Sequence, residues 1–240
     1  MVEKERQYLE SHITDLESEI EEIQIFYSDK KVITGVISEN FMGKFFECKT
    51  VIDTVVNLDK KIKYSLEKAI EFTYSDEVVN EFNMIGKKGK KEFLAYYFIE
   101  NAFYRTITSW DSLAQLYNSY FSVGKDKTKI NYKTFFNNLN QDNQFSEPEL
   151  VANIYSYLSE LNDISGSGRW LGNHNYIKEY RNKVTHRNSP DIFSLSNFDI
   201  NFKESPRFVL KRLIEDYHQA ECFLKQIINY INEGFISQMN

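Results

Sequence analysis

The segment EYRNKVTHR at 179–187 carries Arg181 and His186 five positions apart, with Asn182, Lys183 and Arg187 beside them. An imidazole, with an unperturbed pKa of about 6.5, takes up or releases a proton near neutral pH. A guanidinium offers two parallel N–H groups to phosphoryl oxygens and steadies charge that gathers on them. Together these are parts for acid–base chemistry at a phosphodiester. The local charge suits an anion: from Arg169 to Arg187 there are five Lys or Arg side chains against one acid, Glu179. The whole chain carries a net charge of -6, which repels nucleic acid at long range and argues against a protein that coats it.

Spacing alone does not choose this pair. Arg6 with His12, Arg169 with His174, and Arg212 with His218 show similar separations. The first lies among glutamates on a helical face, where ion pairing accounts for it. The second spans a Gly/Ser break and Gly172, so no continuous helix fixes its geometry. The third encloses Glu215 and Asp216, which favour structural ion pairs. A plain structural reading also exists for RNKVTH, since basic side chains at a helix C-terminus complement its dipole and its last carbonyls.

The elements that must position these groups read as helices. Gly (9) and Pro (3) are scarce, and aromatic residues make up 15% of the chain. Val2, Leu9, Ile13, Leu16, Ile20, Ile23 and Tyr27 form a heptad-like series with an acidic outer face. KVITGVIS at 31–38 reads as an extended connector or small hairpin, and two helices are expected near 39–59 and 65–84. GKKGKK at 86–91 is a turn. After it a helix of roughly eight turns carries Phe103, Ile107, Trp110, Leu113, Tyr117 and Phe121, with Asp111, Gln115 and Asn118 as a polar face. A short helix near 131–139 is expected. Ser146 and Glu149 form a capping-box signature for the next helix. A further helix runs from Gly172 or Asn173 to His186 and is stopped by Asn188, Ser189 and Pro190. Ser205 and Pro206 open a last amphipathic helix. The fold class expected is all-α, an up-and-down bundle, with residues 1–85 as a helical extension and 86–240 as a four-helix domain.

In an ideal helix Arg181 and His186 lie about 140° apart, so convergence needs either a frayed turn near Thr185 or a reach by the long Arg. At these residues the sequence resembles the HEPN superfamily of all-α bundles, whose members often carry Arg, then Asn, Asp or His, and a His four to six residues on. RNKVTH matches the Asn form, in the penultimate major helix. The resemblance implies a metal-independent endoribonuclease that needs no cofactor, with RNA as substrate and a composite site formed by two copies of the chain; a cytoplasmic location is expected from Cys48 and Cys222, which supply no disulfide framework. It implies Arg181 and His186 as catalytic residues, with Asn182, Lys183 and Arg187 supporting the phosphate. It also suggests a toxin or defence role, with a protein partner or inhibitor, and, as the alternative, a non-catalytic helical module that binds a protein or nucleotide. One departure is Asn188, which stands where HEPN toxins silenced by tyrosine modification often carry Tyr.

Other classes find less support. GKKGKK lacks phosphate-loop spacing, no HExxH or clustered carboxylates suggest a metal site, and Cys48 and Cys222 form no CxxC pair. The apolar run FLAYYFIENAFYRTI is broken by Glu100, Asn101 and Arg105, so no membrane span is expected.

Overall fold

The computed structural model describes residues 2–19, 39–142, 147–161, 172–186, 189–195 and 200–239. Its elements are α1 (Val2–Ser11), α2 (Leu16–Glu19), α3 (Glu39–Thr73), α4 (Asp76–Glu81), α5 (Lys90–Phe121), α6 (Tyr132–Gln141), α7 (Pro148–Ser159), α8 (Asn173–His186) and α9 (Pro206–Met239). A two-residue antiparallel ladder joins β1 (Ser194–Leu195) to β2 (Ile200–Asn201), with Ser194 opposite Asn201. The chain is thus an all-α bundle.

The long helices form around one seam. Phe45, Cys48, Ile52, Val55, Asp59, Ile62, Leu66 and Ala69 of α3 are buried at alternating three- and four-residue steps, the periodicity that keeps one stripe against a neighbour. That neighbour is α5, with α9 as the third member. Gly234 permits the approach of α9 to α5, since a Cβ there would stand 1.9 Å from the Tyr120 hydroxyl. α5 is buried on several sides, from Tyr96 and Ile99 through Phe103, Trp110, Leu113 and Tyr117. Its N-terminus is served from α4: Glu77 accepts the Lys91 backbone N–H at 2.9 Å, favoured by the helix dipole. Gly89 leaves room for that carboxylate, because a Cβ would meet it at 2.3 Å. α6 and α7 close one side through Phe135, Phe136, Leu139, Val151 and Ile154. One hydrophobic core runs through residues on both sides of position 85.

Several expectations change in detail. The helices expected at 39–59 and 65–84 are one helix, α3, because Ser65 bonds back to the Lys61 carbonyl at 2.9 Å and Ile62 stays in the seam. The break comes later, at Ser75, whose hydroxyl donates to the Phe72 carbonyl. The heptad-like helix is interrupted after Ser11: Ser11 Oγ and His12 Nδ1 both meet the Tyr8 carbonyl, at 2.8 and 2.7 Å, and turn the chain. Leu9 and Leu16 are nevertheless fully buried on either side of that turn. α7 starts at Pro148 after Glu147 in the left-handed region, with no side-chain cap. Ser146, the expected cap, lies outside the described residues, as do the 31–38 connector and the rest of the heptad series beyond 19. Asn118 does not lie on an open polar face: it is buried and clamps Lys125 by two 3.0 Å hydrogen bonds.

Candidate active site on the outer face of α8

The N-terminus of α8 is fastened from two directions. Gly172, at φ +67°, donates its N–H to Glu160 at 3.3 Å, and Asn173 donates to Glu215 at 2.7 Å. Asn175 donates to the Glu160 carbonyl. The inner face then buries His174, Tyr176, Ile177 and Tyr180, with Tyr180 packed 5.4 Å from Phe103 between ring centroids.

Beneath this face lies a closed polar network. Asp216, fully buried, accepts from the Tyr157 hydroxyl at 3.0 Å and from Trp110 Nε1 at 3.3 Å, and meets His174 Nδ1 at 3.2 Å. The other ring nitrogen of His174 is 2.8 Å from the Tyr132 hydroxyl. Each group therefore has a partner, as burial demands. Arg212, also fully buried, lies 4.7 Å over the Tyr176 ring. Sequence spacing raised His174 and Arg212 only as members of competing pairs; the fold makes them interior.

The outer face presents Lys178, Glu179, Arg181, Asn182 and Lys183 to solvent. Arg181 acts electrostatically on two neighbours. The half-buried Asp111 carboxyl is raised by burial, then lowered by the Tyr132 backbone N–H and by Arg181. The Tyr132 phenol is pushed up by burial and eased by Arg181. Lys183 reaches Glu204 at 3.1 Å, and Glu204 also accepts from Tyr176. Part of its charge is thereby already engaged. The helix continues through His186 without fraying near Thr185, so the backbone positions of the two motif residues are about 140° apart around the axis and about 7.5 Å along it. The side chain of His186 and the whole of Arg187 and Asn188 lie outside the described residues.

After the motif, the Pro190 carbonyl accepts from the Glu204 N–H at 2.8 Å. Asp191 takes Ser189 and Lys88, which ties this loop to the turn before α5. A cavity of about 250 Å³ lies there, lined by Ile85, Lys88, Asp191, Phe193 and Lys203. Within reach of this loop, Glu100 of α5 has its carboxyl raised to about 7, by burial and then by Asp191, with Lys88 opposing. Nothing in the sequence distinguishes Glu100 from other helical glutamates. Among the described residues no three His, Cys, Asp or Glu side chains gather as a metal cage, and no helix is long and apolar enough to cross a membrane.

Comparison with known proteins agrees with this architecture. The profile of the HEPN_Cthe2314-like HEPN family matches residues 41–235, a span that takes in α3 as well as the helices from α5 to α9. No curated protein and no solved structure matches the chain. Because the match covers most of the chain and includes RNKVTH, the protein belongs to the HEPN_Cthe2314-like family of the HEPN superfamily.

Proposed function

We propose that this chain is a metal-independent endoribonuclease of HEPN type. The observation that carries the reading is the placement of Arg181 and Asn182 on an exposed, basic helix face inside the family-matched span. His186 takes the proton of a ribose 2′-hydroxyl; the 2′-oxygen attacks phosphorus; the P–O5′ bond breaks and a 2′,3′-cyclic phosphate remains. Arg181 holds the non-bridging oxygens as charge builds on them. The leaving 5′-oxygen needs a proton, and one chain offers a single histidine in this motif. The divergence of Arg181 and His186 around an unbroken helix favours the same arrangement: two copies pair so that His186 of the partner subunit supplies the second imidazole. Asn182 and Arg187 support the phosphate, and Lys183 adds charge shared with Glu204. In this reading the enzyme works as a cytoplasmic homodimer, in a toxin or defence role under a protein partner or inhibitor.

The same divergence favours a second reading, a non-catalytic module that binds a protein or nucleotide through this face. Purified protein incubated with mixed RNAs in excess chelator separates the two. Cleavage to 2′,3′-cyclic ends, reduced about 10²–10⁴-fold in His186→Ala and in Arg181→Ala, is the expected result. RNA left intact across substrates moves the assignment to the binding module.

A further inference from the structure

Outside the motif, two cations at the α6–α8 contact have no carboxylate partner among the described residues. Lys133, in the first turn of α6, directs its ammonium onto Asn175 Oδ1 at 3.1 Å. Asn175 is itself held by the Glu160 carbonyl, so the ammonium is fixed on the α8 side of its helix. One helical turn along α8 from Asn175 stands Lys178, exposed, and one turn further stands Arg181, exposed. Steps of three residues place these positions about 4.5 Å apart along the axis and on neighbouring faces. Among the described residues neither Lys133 nor Lys178 pairs with a carboxylate. The Lys133 ammonium is lowered from its ordinary value by burial and then by the charge of Lys178, as expected of two like charges held close. Of the acids around this strip, Glu160 accepts from Gly172, Asp111 accepts weakly from the Tyr132 N–H at 3.5 Å, and Glu179 faces solvent beside Lys178.

An ammonium fixed on Asn175, one turn from the exposed Lys178 and two turns from the motif arginine, makes with them a positive strip along α8 that suits an anion. We propose that Lys133 and Lys178 bind the backbone phosphate adjoining the one held by Arg181, so that single-stranded RNA lies along α8 from the motif toward Asn175. The site rests on the ribonuclease reading for its ligand and deepens it, since it sets which side of the cleaved bond the protein grips. It also reconciles RNA binding with the net charge of -6: the attraction is confined to one strip.

The test uses a fluorescent single-stranded RNA made uncleavable by 2′-O-methyl groups, bound to the full chain across a salt series. Lys133→Gln/Lys178→Gln should raise Kd about tenfold at low salt and reduce the slope of log K against log salt by about 0.7, the loss of one phosphate contact. Lys178→Gln alone, at an exposed position, should give about half of that loss and guards against a folding defect in the double variant. Unchanged affinity and slope in a wild type that cleaves unmodified RNA overturns the strip and leaves the nuclease reading intact. Loss of affinity in the variants of a protein that never cleaves supports the strip and sinks the nuclease. A wild type that binds no RNA overturns both. A mononucleotide whose binding is lost in the variants while RNA affinity is unchanged overturns the assignment to a strand.

Discussion

His174 and Arg212 lie on one side of the α8 shell, Arg181 and Lys178 on the other, and the same residue types lead opposite lives. His174, Arg212 and Asp216 have no exposed surface, and His174 and Asp216 are bonded to Tyr132, Tyr157 and Trp110. Such a network specifies which face of α8 turns inward, and it is costly to leave half-made. Arg181 and Lys178 face water, and among the described residues no carboxylate pairs with Lys178 or with Lys133, which reaches α8 at Asn175. Burial turns polar side chains into determinants of the fold, and exposure leaves the same types facing solvent.

The contrast can be broken most severely at Asp216. Asp216→Ala should cost about 3–5 kcal/mol in chemical denaturation, because Trp110, Tyr157 and His174 lose a buried acceptor together. Arg181→Ala, on the exposed face, should change stability by less than about 0.5 kcal/mol; equal losses at the two positions would erase the distinction.

A smaller effect is expected at Glu100 of α5, whose charge acts on the buried Tyr180 of α8. Its folded pKa, about 7, is raised above the unfolded carboxylate value. The stability tied to its neutral form is complete below the unfolded value and is lost as pH rises through 7. Glu100→Gln keeps the neutral form, so its advantage over wild type should open between about pH 4 and 7 and level off above. With solvent screening discounted, a gain on the order of 1–2 kcal/mol at pH 8.5 is expected, read from urea curves at several pH values. A constant difference at every pH would mean that packing is the cause.

The smallest change should come from a pair that is charged and exposed on both sides. Arg6 and Glu10, 2.9 Å apart and nearly half exposed, are a solvated helix pair. Arg6→Ala should cost under about 0.5 kcal/mol, shrinking further at high salt. A larger, salt-independent loss in thermal melts would show that α1 matters to the core through Arg6.

Much of the scaffold was legible because its signals are local. Ser205 and Pro206, the long aromatic pattern after GKKGKK, and Pro190 as a stop each act on neighbouring residues and match α9, α5 and the end of α8. The break expected between two helices near residue 60 failed because polar residues such as Lys60, Lys61 and Ser65 do not end a helix whose seam continues through Ile62 and Leu66. The ladder at 194–195 and 200–201 gave no sequence signal, being only two residues a side.

The sequence by itself determined the helical class, the superfamily resemblance, and the position of Arg181 and Asn182 before a helix stop. These depend on periodicity, side-chain type and short-range sterics, all of which are written along the chain. Only the tertiary structure decided that His174 is sealed against Asp216, that the charges of Asp191 and Lys88 act on Glu100, and that Lys133 reaches Asn175, one turn from Lys178 on α8. Burial and charge proximity join residues tens of positions apart, and no local pattern encodes which neighbours folding will bring.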